Sequence, residues 1–446
     1  TSRLCTLPST HETPPSLMFN AWYAAILSEE LDSKTPYGIQ VLGFPLVFWR
    51  HKGSTVSCAE DICPHRSAPL SVGRIDNGIL ECKYHGWQFG GDGACTHIPS
   101  AAGKPISKSA NATTFPCVEK YGIVWVWIGD KDTSQEDLDR KFPDHLFKRH
   151  FKPEWATNYG TRDLGIDHGL MIENLLDPAH LPFTHEGTLA KRSDAQLMEM
   201  SVIWNTATIN KVDEDDDDFQ DCQQTDTRGF KVLCTRPNAT PDKKELGFFT
   251  FYAPSNLKLE LFTNKTKGKK LIQIQLCTPV TPTKMRLIFV FYRNAGVFAN
   301  KIPGVEHMFR WYSDKIIDQD FELLGGQQVR LSQGANPWKT AVSADTAGVL
   351  YRKWRDSAEK LNPWFGSYNA RKYMALASSS SSSGLSDIED LDQSSCSVRF
   401  AEPPSSRFKV RPNLPLFPDQ FRRKVYTLLF LIILLVLYLN FSHLLF

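Results

Sequence analysis

Short apolar runs set between polar, Gly-containing stretches mark the first third of the chain. Gln40-Val41-Leu42, Leu46-Val47-Phe48-Trp49 and Ile123-Val124-Trp125-Val126-Trp127-Ile128 are broken by Gly-rich turns, and their β-branched and aromatic content predicts strands. A second set occupies residues 201–204, 248–252, 257–262, 271–276 and 286–291. Its alternation predicts an antiparallel sheet with one buried face. From about residue 303 to 331 the apolar spacing becomes helical, which predicts one long helix packed over that sheet. Residues 143–153 read as a linker between the two sets. The expected fold class is α+β: a small all-β domain over residues 18–135, then an antiparallel-sheet-plus-helix domain over residues 136–375.

The two ends are of different character. Residues 1–17 are rich in Pro, Ser and Thr and are expected to be disordered; they lack the apolar core of a secretory signal, and the chain begins without Met. Residues 376–421 carry a serine run, then acids and scattered prolines, and cannot bury enough apolar surface to fold, so they read as a tether. Arg422-Arg423-Lys424 then precede a stretch that is almost wholly apolar from Val425. Its helical length of about 33 Å is enough to cross a hydrocarbon core of roughly 30 Å. Residues 422–446 are therefore expected to form a C-terminal transmembrane tail anchor, with the basic flank fixing which side the folded part occupies.

With 446 residues, 41% of them hydrophobic, the chain can bury two cores. A net charge of +2 without a dense Lys/Arg stripe argues against nucleic acid as a partner. The acidic run at residues 213–218 reads as a solvated loop between strands. Of ten cysteines only Cys63 and Cys82 fall into a ligand pattern and no C-x-x-C occurs, which argues against a disulfide framework.

That pattern is Cys63-Pro64-His65 and Cys82-Lys83-Tyr84-His85. Two thiolates and two neutral imidazoles suit a [2Fe–2S] centre of mixed ligation, which moves single electrons; the same residue types also serve tetrahedral zinc. The mixed order and the flanking Pro64 and Gly86, which shape tight loops, favour the cluster. A second constellation runs Glu173-Asn174-Leu175-Leu176-Asp177-Pro178-Ala179-His180-Leu181-Pro182-Phe183-Thr184-His185. Two histidines and a distant carboxylate make a facial triad for ferrous iron, leaving one face open for O₂. Asp177 and His180, three apart, are expected on one face of a helix that Pro182 ends, so that His185 folds back toward the same metal. The carboxylate is sought among the acids of residues 311–322, most of which read as a solvated helix face.

The segments 63–70 and 82–87 resemble the Rieske domain of ring-hydroxylating and chloroplast oxygenases, and 174–185 resembles the N-x-x-D-x-x-H-x4-H motif of Rieske non-haem iron oxygenases. Within that family the chain is most similar to the chlorophyllide a oxygenase-like group, on Glu173-Asn174-Leu175-Leu176-Asp177, Gly326-Gln327-Gln328 and Tyr351-Arg352-Lys353-Trp354-Arg355. The resemblance implies Cys63, His65, Cys82 and His85 as cluster ligands, and His180, His185 and Asp320 as iron ligands, Asp320 by its place seven and eight residues before Gln327 and Gln328. It also implies Asp177, with Asn174, as the link that joins His180 of one subunit to a cluster histidine of its neighbour in a homotrimer. Implied partners are a chlorophyll-type tetrapyrrole, O₂, ferredoxin and, through the C-terminal helix, a chloroplast membrane with the enzyme on the stromal side. The expected reaction is double hydroxylation of the C7 methyl of chlorophyllide a to give chlorophyllide b. The alternatives are ring opening of pheophorbide a, or a redox-sensing subunit of a membrane complex.

Overall fold

A computed structural model describes residues 18–359 apart from 52–54, 102, 131, 207–215, 226, 265–268 and 336–338. The expected N-terminal segment, tether and tail anchor lie outside the described residues, and among those described no helix is long and apolar enough to cross a membrane. The chain opens with ten short strands, β1 (Ala21–Leu27), β2 (Tyr37–Val41), β3 (Phe44–Arg50), β4 (Val56–Glu60), β5 (Arg74–Asp76), β6 (Ile79–Glu81), β7 (Gln88–Phe89), β8 (Cys95–His97), β9 (Cys117–Lys120) and β10 (Ile123–Ile128). They form three small antiparallel sheets ordered β2-β3-β4, β5-β6-β7-β8 and β1-β10-β9.

After α1 (Gln135–Arg140) comes β11 (Ala156–Leu164), then α2 (His168–Leu175), α3 (Leu181–Thr184), β12 (Glu199–Asn205), α4 (Asp217–Thr225) and five strands: β13 (Gly229–Thr235), β14 (Glu245–Tyr252), β15 (Asn256–Asn264), β16 (Lys269–Thr281) and β17 (Lys284–Arg293). These strands make one antiparallel sheet in the order β11-β17-β16-β15-β14-β13-β12. The helices α5 (Val305–Ser332) and α6 (Thr346–Glu359) close the described chain.

The sheet is buried on both faces, not on one. Along β17 successive side chains alternate sides: Leu287 and Phe289 join a core with α2, α5 and α6, whereas Ile288, Val290 and Tyr292 join a core with Trp22, Trp125 and Trp127 of the first module. Completely burying side chains of this size contributes roughly 1.5–3 kcal/mol each, so the aromatic strands β1 and β10 serve as the sheet's second cover. Hydrogen bonds to backbone carbonyls sew the modules together, with Leu42 N–H donating to the Pro279 carbonyl at 2.8 Å and the Arg286 guanidinium donating to the Ala25 carbonyl at 3.0 Å. The segment 143–153 is likewise no loose linker: His145, Leu146, Phe147 and His150 are buried.

The described end of the acidic run, residues 216–218, departs furthest from expectation. Its last two residues open α4, and Asp218 is 2% exposed, bonded to Lys258 at 2.7 Å and to Lys231 at 3.0 Å. Asp216 takes a second bond from Lys231 at 2.7 Å, and Asp221 one from Arg149 at 2.8 Å. The lysines responsible sit on β13 and β15 and point inward, so the acids follow them into the interior.

Candidate metal centres

The first centre rests on two loops of one design. In one, Cys63 N–H donates to the Ala68 carbonyl (2.8 Å) and Ser67 N–H to the Cys63 carbonyl (2.9 Å); in the other, Cys82 N–H donates to the Trp87 carbonyl (2.9 Å) and Gly86 N–H to the Cys82 carbonyl (3.0 Å). The fourth residue after each cysteine has left-handed backbone, Ser67 with φ +54° and Gly86 with φ +72°. Glycine adopts that conformation freely, while serine holds it at a cost the second loop avoids. Both cysteines are buried, His85 is exposed, and the His65 ring stacks on Trp87 at 4.7 Å and meets the His85 ring edge-on at 4.5 Å.

These four side chains fit a two-iron cluster. Burial, with Cys82 alongside, pushes the Cys63 thiol up to about 11, so a bound cation is needed to hold it as thiolate. The His65 Nδ1 is buried without a partner. No three of the four bring ligand atoms within 4.8 Å of one another among the described residues, as ligands around a single tetrahedral zinc would.

The second centre does converge. Among the described residues, His180, His185 and Asp320 are the group of such side chains whose ligand atoms all lie within 4.8 Å of one another. Asp320 Oδ1 stands 3.1 Å from His185 Nε2 and 3.5 Å from His180 Nε2. The local chain explains this. α2, capped by the Asp167 carboxylate, stops at Leu175 because Pro178 cannot continue it and forces Asp177 into extended backbone. Asp177 then caps a new turn, accepting from Ala179 N–H at 2.8 Å, and that turn carries His180. Asp177 and His180 are thus not on one regular helix, and Pro182 lies in the first turn of α3 where it was expected to end a helix; His185 follows as the cap residue of α3. Asp320 arrives from α5, whose buried stripe is Ser313, Ile317, Asp320, Leu324 and Leu331.

Electrostatics suit an iron site. Burial pulls the His180 pKa down, but the Asp177 carboxylate 3.7 Å from Nδ1 and the charge of Asp320 outweigh it, and the net shift is upward. Both His180 nitrogens lack full hydrogen bonds although buried, and Asp320, 6% exposed, receives only Asn174 Nδ2 at 3.3 Å besides the imidazoles. Among the described residues, no lysine or arginine lines the apolar cavity on this centre. A buried carboxylate among imidazoles with no cation of the protein's own is the donor set a ferrous ion completes.

The centre opens on two sides. One opening is an apolar cavity between α5 and the sheet, walled by Phe249, Phe289, Phe291, Phe309 and Tyr312. Gly160 makes room for this wall, since a Cβ there would meet the Phe289 ring at 2.1 Å. The other opening, lined by Asn174, Asp177, His180, Leu323, Gln327 and Arg330, leaves the Asp177 side chain 37% exposed. Sequence reading missed Gln319, whose Oε1 is 3.1 Å from His185 Nδ1 and 2.8 Å from the Thr188 hydroxyl. Its only signal was its place beside Asp320 on the helix.

Residues 21–118 match the family model of the Rieske [2Fe-2S] domain, and residues 166–361 that of the vanillate O-demethylase oxygenase C-terminal domain. Chlorophyllide a oxygenase of Arabidopsis thaliana is 28% identical over 344 residues, covering 76% of this chain and 58% of that protein. Protein TIC 55 of the same plant is 32% identical over 348 residues, covering 75% and 59%. The chain therefore spans just under three-fifths of the length of these chloroplastic relatives. Among solved structures, dicamba monooxygenase bound to dicamba shares the fold with a TM-score of 0.62 and 26% identity, over 77% of this chain and 97% of that one. A cluster-bearing β module joined to an iron-binding sheet-and-helix module defines a two-centre oxygenase architecture. The chain belongs to the Rieske non-haem iron oxygenases.

Proposed function

We propose that the protein is a plastid oxygenase that hydroxylates the C7 methyl of chlorophyllide a twice, the resulting geminal diol losing water to give the formyl group of chlorophyllide b. Each hydroxylation consumes one O₂, two electrons from ferredoxin and two protons, placing one oxygen in the product and one in water. The observation that carries the reading is the triad opening on a cavity walled by aromatic rings, which suits a flat, largely apolar macrocycle. Similarity to chlorophyllide a oxygenase supports the choice of substrate.

Cys63, His65, Cys82 and His85 would hold the [2Fe–2S] cluster, and His180, His185 and Asp320 the ferrous iron. When bound, these groups supply single-electron delivery and O₂ activation. The protein's own part is placement. The Asp177 carboxylate, 3.7 Å from Nδ1 of His180, favours the ring hydrogen on that side by its charge, which leaves Nε2 with its lone pair toward Asp320. The aromatic wall keeps water from the reacting methyl and orients the ring. The exposed Tyr84-His85 tip of one copy would reach the opening beside Asp177 of the next in a homotrimer, since none of the residues lining that opening comes from the cluster loops of the same chain. The apolar tail would hold the enzyme at a plastid membrane, where its substrate resides.

The test is to supply the full-length protein in detergent with reduced ferredoxin, O₂ and either chlorophyllide a or pheophorbide a, and to identify products by mass. A 7-hydroxymethyl or 7-formyl product from chlorophyllide is expected. An opened ring from pheophorbide, or no product from either with both metals present, would overturn the reading. Asp177→Asn should retain both metals and lose turnover.

A further inference from the structure

We propose that Gln319 is the positioning residue for His185, and that Thr188 fixes Gln319 in that task. A carbonyl oxygen accepts only, so Gln319 Oε1 at 3.1 Å requires the hydrogen of His185 to sit on Nδ1. Nε2 is then the lone-pair nitrogen, and it faces Asp320 Oδ1 at 3.1 Å. The same Oε1 lies 2.8 Å from the Thr188 hydroxyl, which pins the amide from the other side. Thr188 belongs to the turn after His185, and its carbonyl accepts the Tyr312 hydroxyl at 2.7 Å. Because Gln319 and Asp320 are consecutive on α5, one turn of helix supplies both an iron ligand and the group that aims a second one. Tyr312, also on α5, walls the apolar cavity, so the turn carrying His185 is tied to the surface on which substrate rests.

The two histidines are thereby held differently. His180 has the Asp177 carboxylate at Nδ1, while His185, 1% exposed, has a neutral amide. Outer-shell partners of this kind orient metal-binding imidazoles, and losing one typically costs 10–100-fold in metal affinity.

The inference rests on the triad holding iron, and the test separates the two. Ferrous iron affinity of the full-length protein is measured by chelator competition, with the visible spectrum of the cluster as the check that each variant is folded. Gln319→Leu should weaken iron about 10–100-fold, and Gln319→Glu, which keeps an acceptor oxygen, should stay within about threefold of the wild type. Thr188→Val, a milder change, should fall between them. Gln319→Leu retaining iron like the wild type, or Gln319→Glu losing it as badly as the leucine variant, would overturn the positioning role and leave the proposed function standing. A wild type that binds no iron beyond its cluster would overturn both.

Discussion

Asp218 and Asp320 are both buried carboxylates of the same sheet-and-helix module, yet one completes itself and the other does not. Asp218 meets two lysines at 2.7 and 3.0 Å, each also held by the sheet. Burial alone would raise its pKa, but Lys258 and Lys231 outweigh that and hold it well below the usual carboxylate range. Asp320 meets two imidazoles and an amide, none of which carries an obligatory positive charge. Equal burial thus has opposite meanings. A charge neutralised within the chain is structural, and one left for a cation is a site.

The largest expected separation between the two is in function. Asp320→Ala should abolish iron retention and turnover while leaving the urea-unfolding free energy of the metal-free protein within about 0.5 kcal/mol, because it removes a carboxylate with no paired cation. Asp218→Ala should do the reverse, costing about 3–5 kcal/mol by leaving buried Lys258 with Glu260 alone at 3.6 Å and Lys231 with Asp216 alone, with iron affinity of the folded fraction unchanged. A destabilised Asp320 variant beside an undisturbed Asp218 variant would erase the distinction.

Acid should find the structural cluster first. His145 and His150 lie against it, and burial, reinforced by the charge of Lys258, lowers both to about 3. From pH 6.5 down to about 3 the unfolded chain binds protons that the folded chain refuses. Stability is therefore full above 6.5 and falls as pH drops through that window, at up to about 1.4 kcal/mol per pH unit for each histidine. Urea melts at pH 7, 6 and 5 measure the slope, and His145→Phe should flatten it. Asp218, with its lowered pKa, adds its own loss only below the ordinary carboxylate range.

The smallest effect is expected where charges remain wet. Arg162 joins β11 to the exposed face of α5 through Asp314 at 2.9 Å and Asp318 at 2.5 Å, with the Asp318 side chain 62% exposed. Arg162→Met should cost no more than about 1 kcal/mol, and the difference should vanish in high salt.

How much of this was legible in the sequence follows from the range of each interaction. The cluster loops were legible because their ligands lie within 23 residues of one another and their backbone bonds close within five. The strands from residue 245 to 293 and the long helix were equally visible, since periodicity is a local property. Asp320 stood out only through family resemblance, although it sits inside an apolar helical stripe where an acid is out of place.

What the sequence alone determined, then, is the set of candidate side chains and most of the elements that carry them. Tertiary structure decided the rest. Asp218 of the acidic run read as solvated because the lysines that neutralise it lie on separate strands, 13 and 40 residues further on. The sheet read as one-sided because its second cover, the tryptophans of β1 and β10, belongs to another module. Gln319 carried no meaning until α5 lay across the turn of His185, since an amide gains a role only from what it touches.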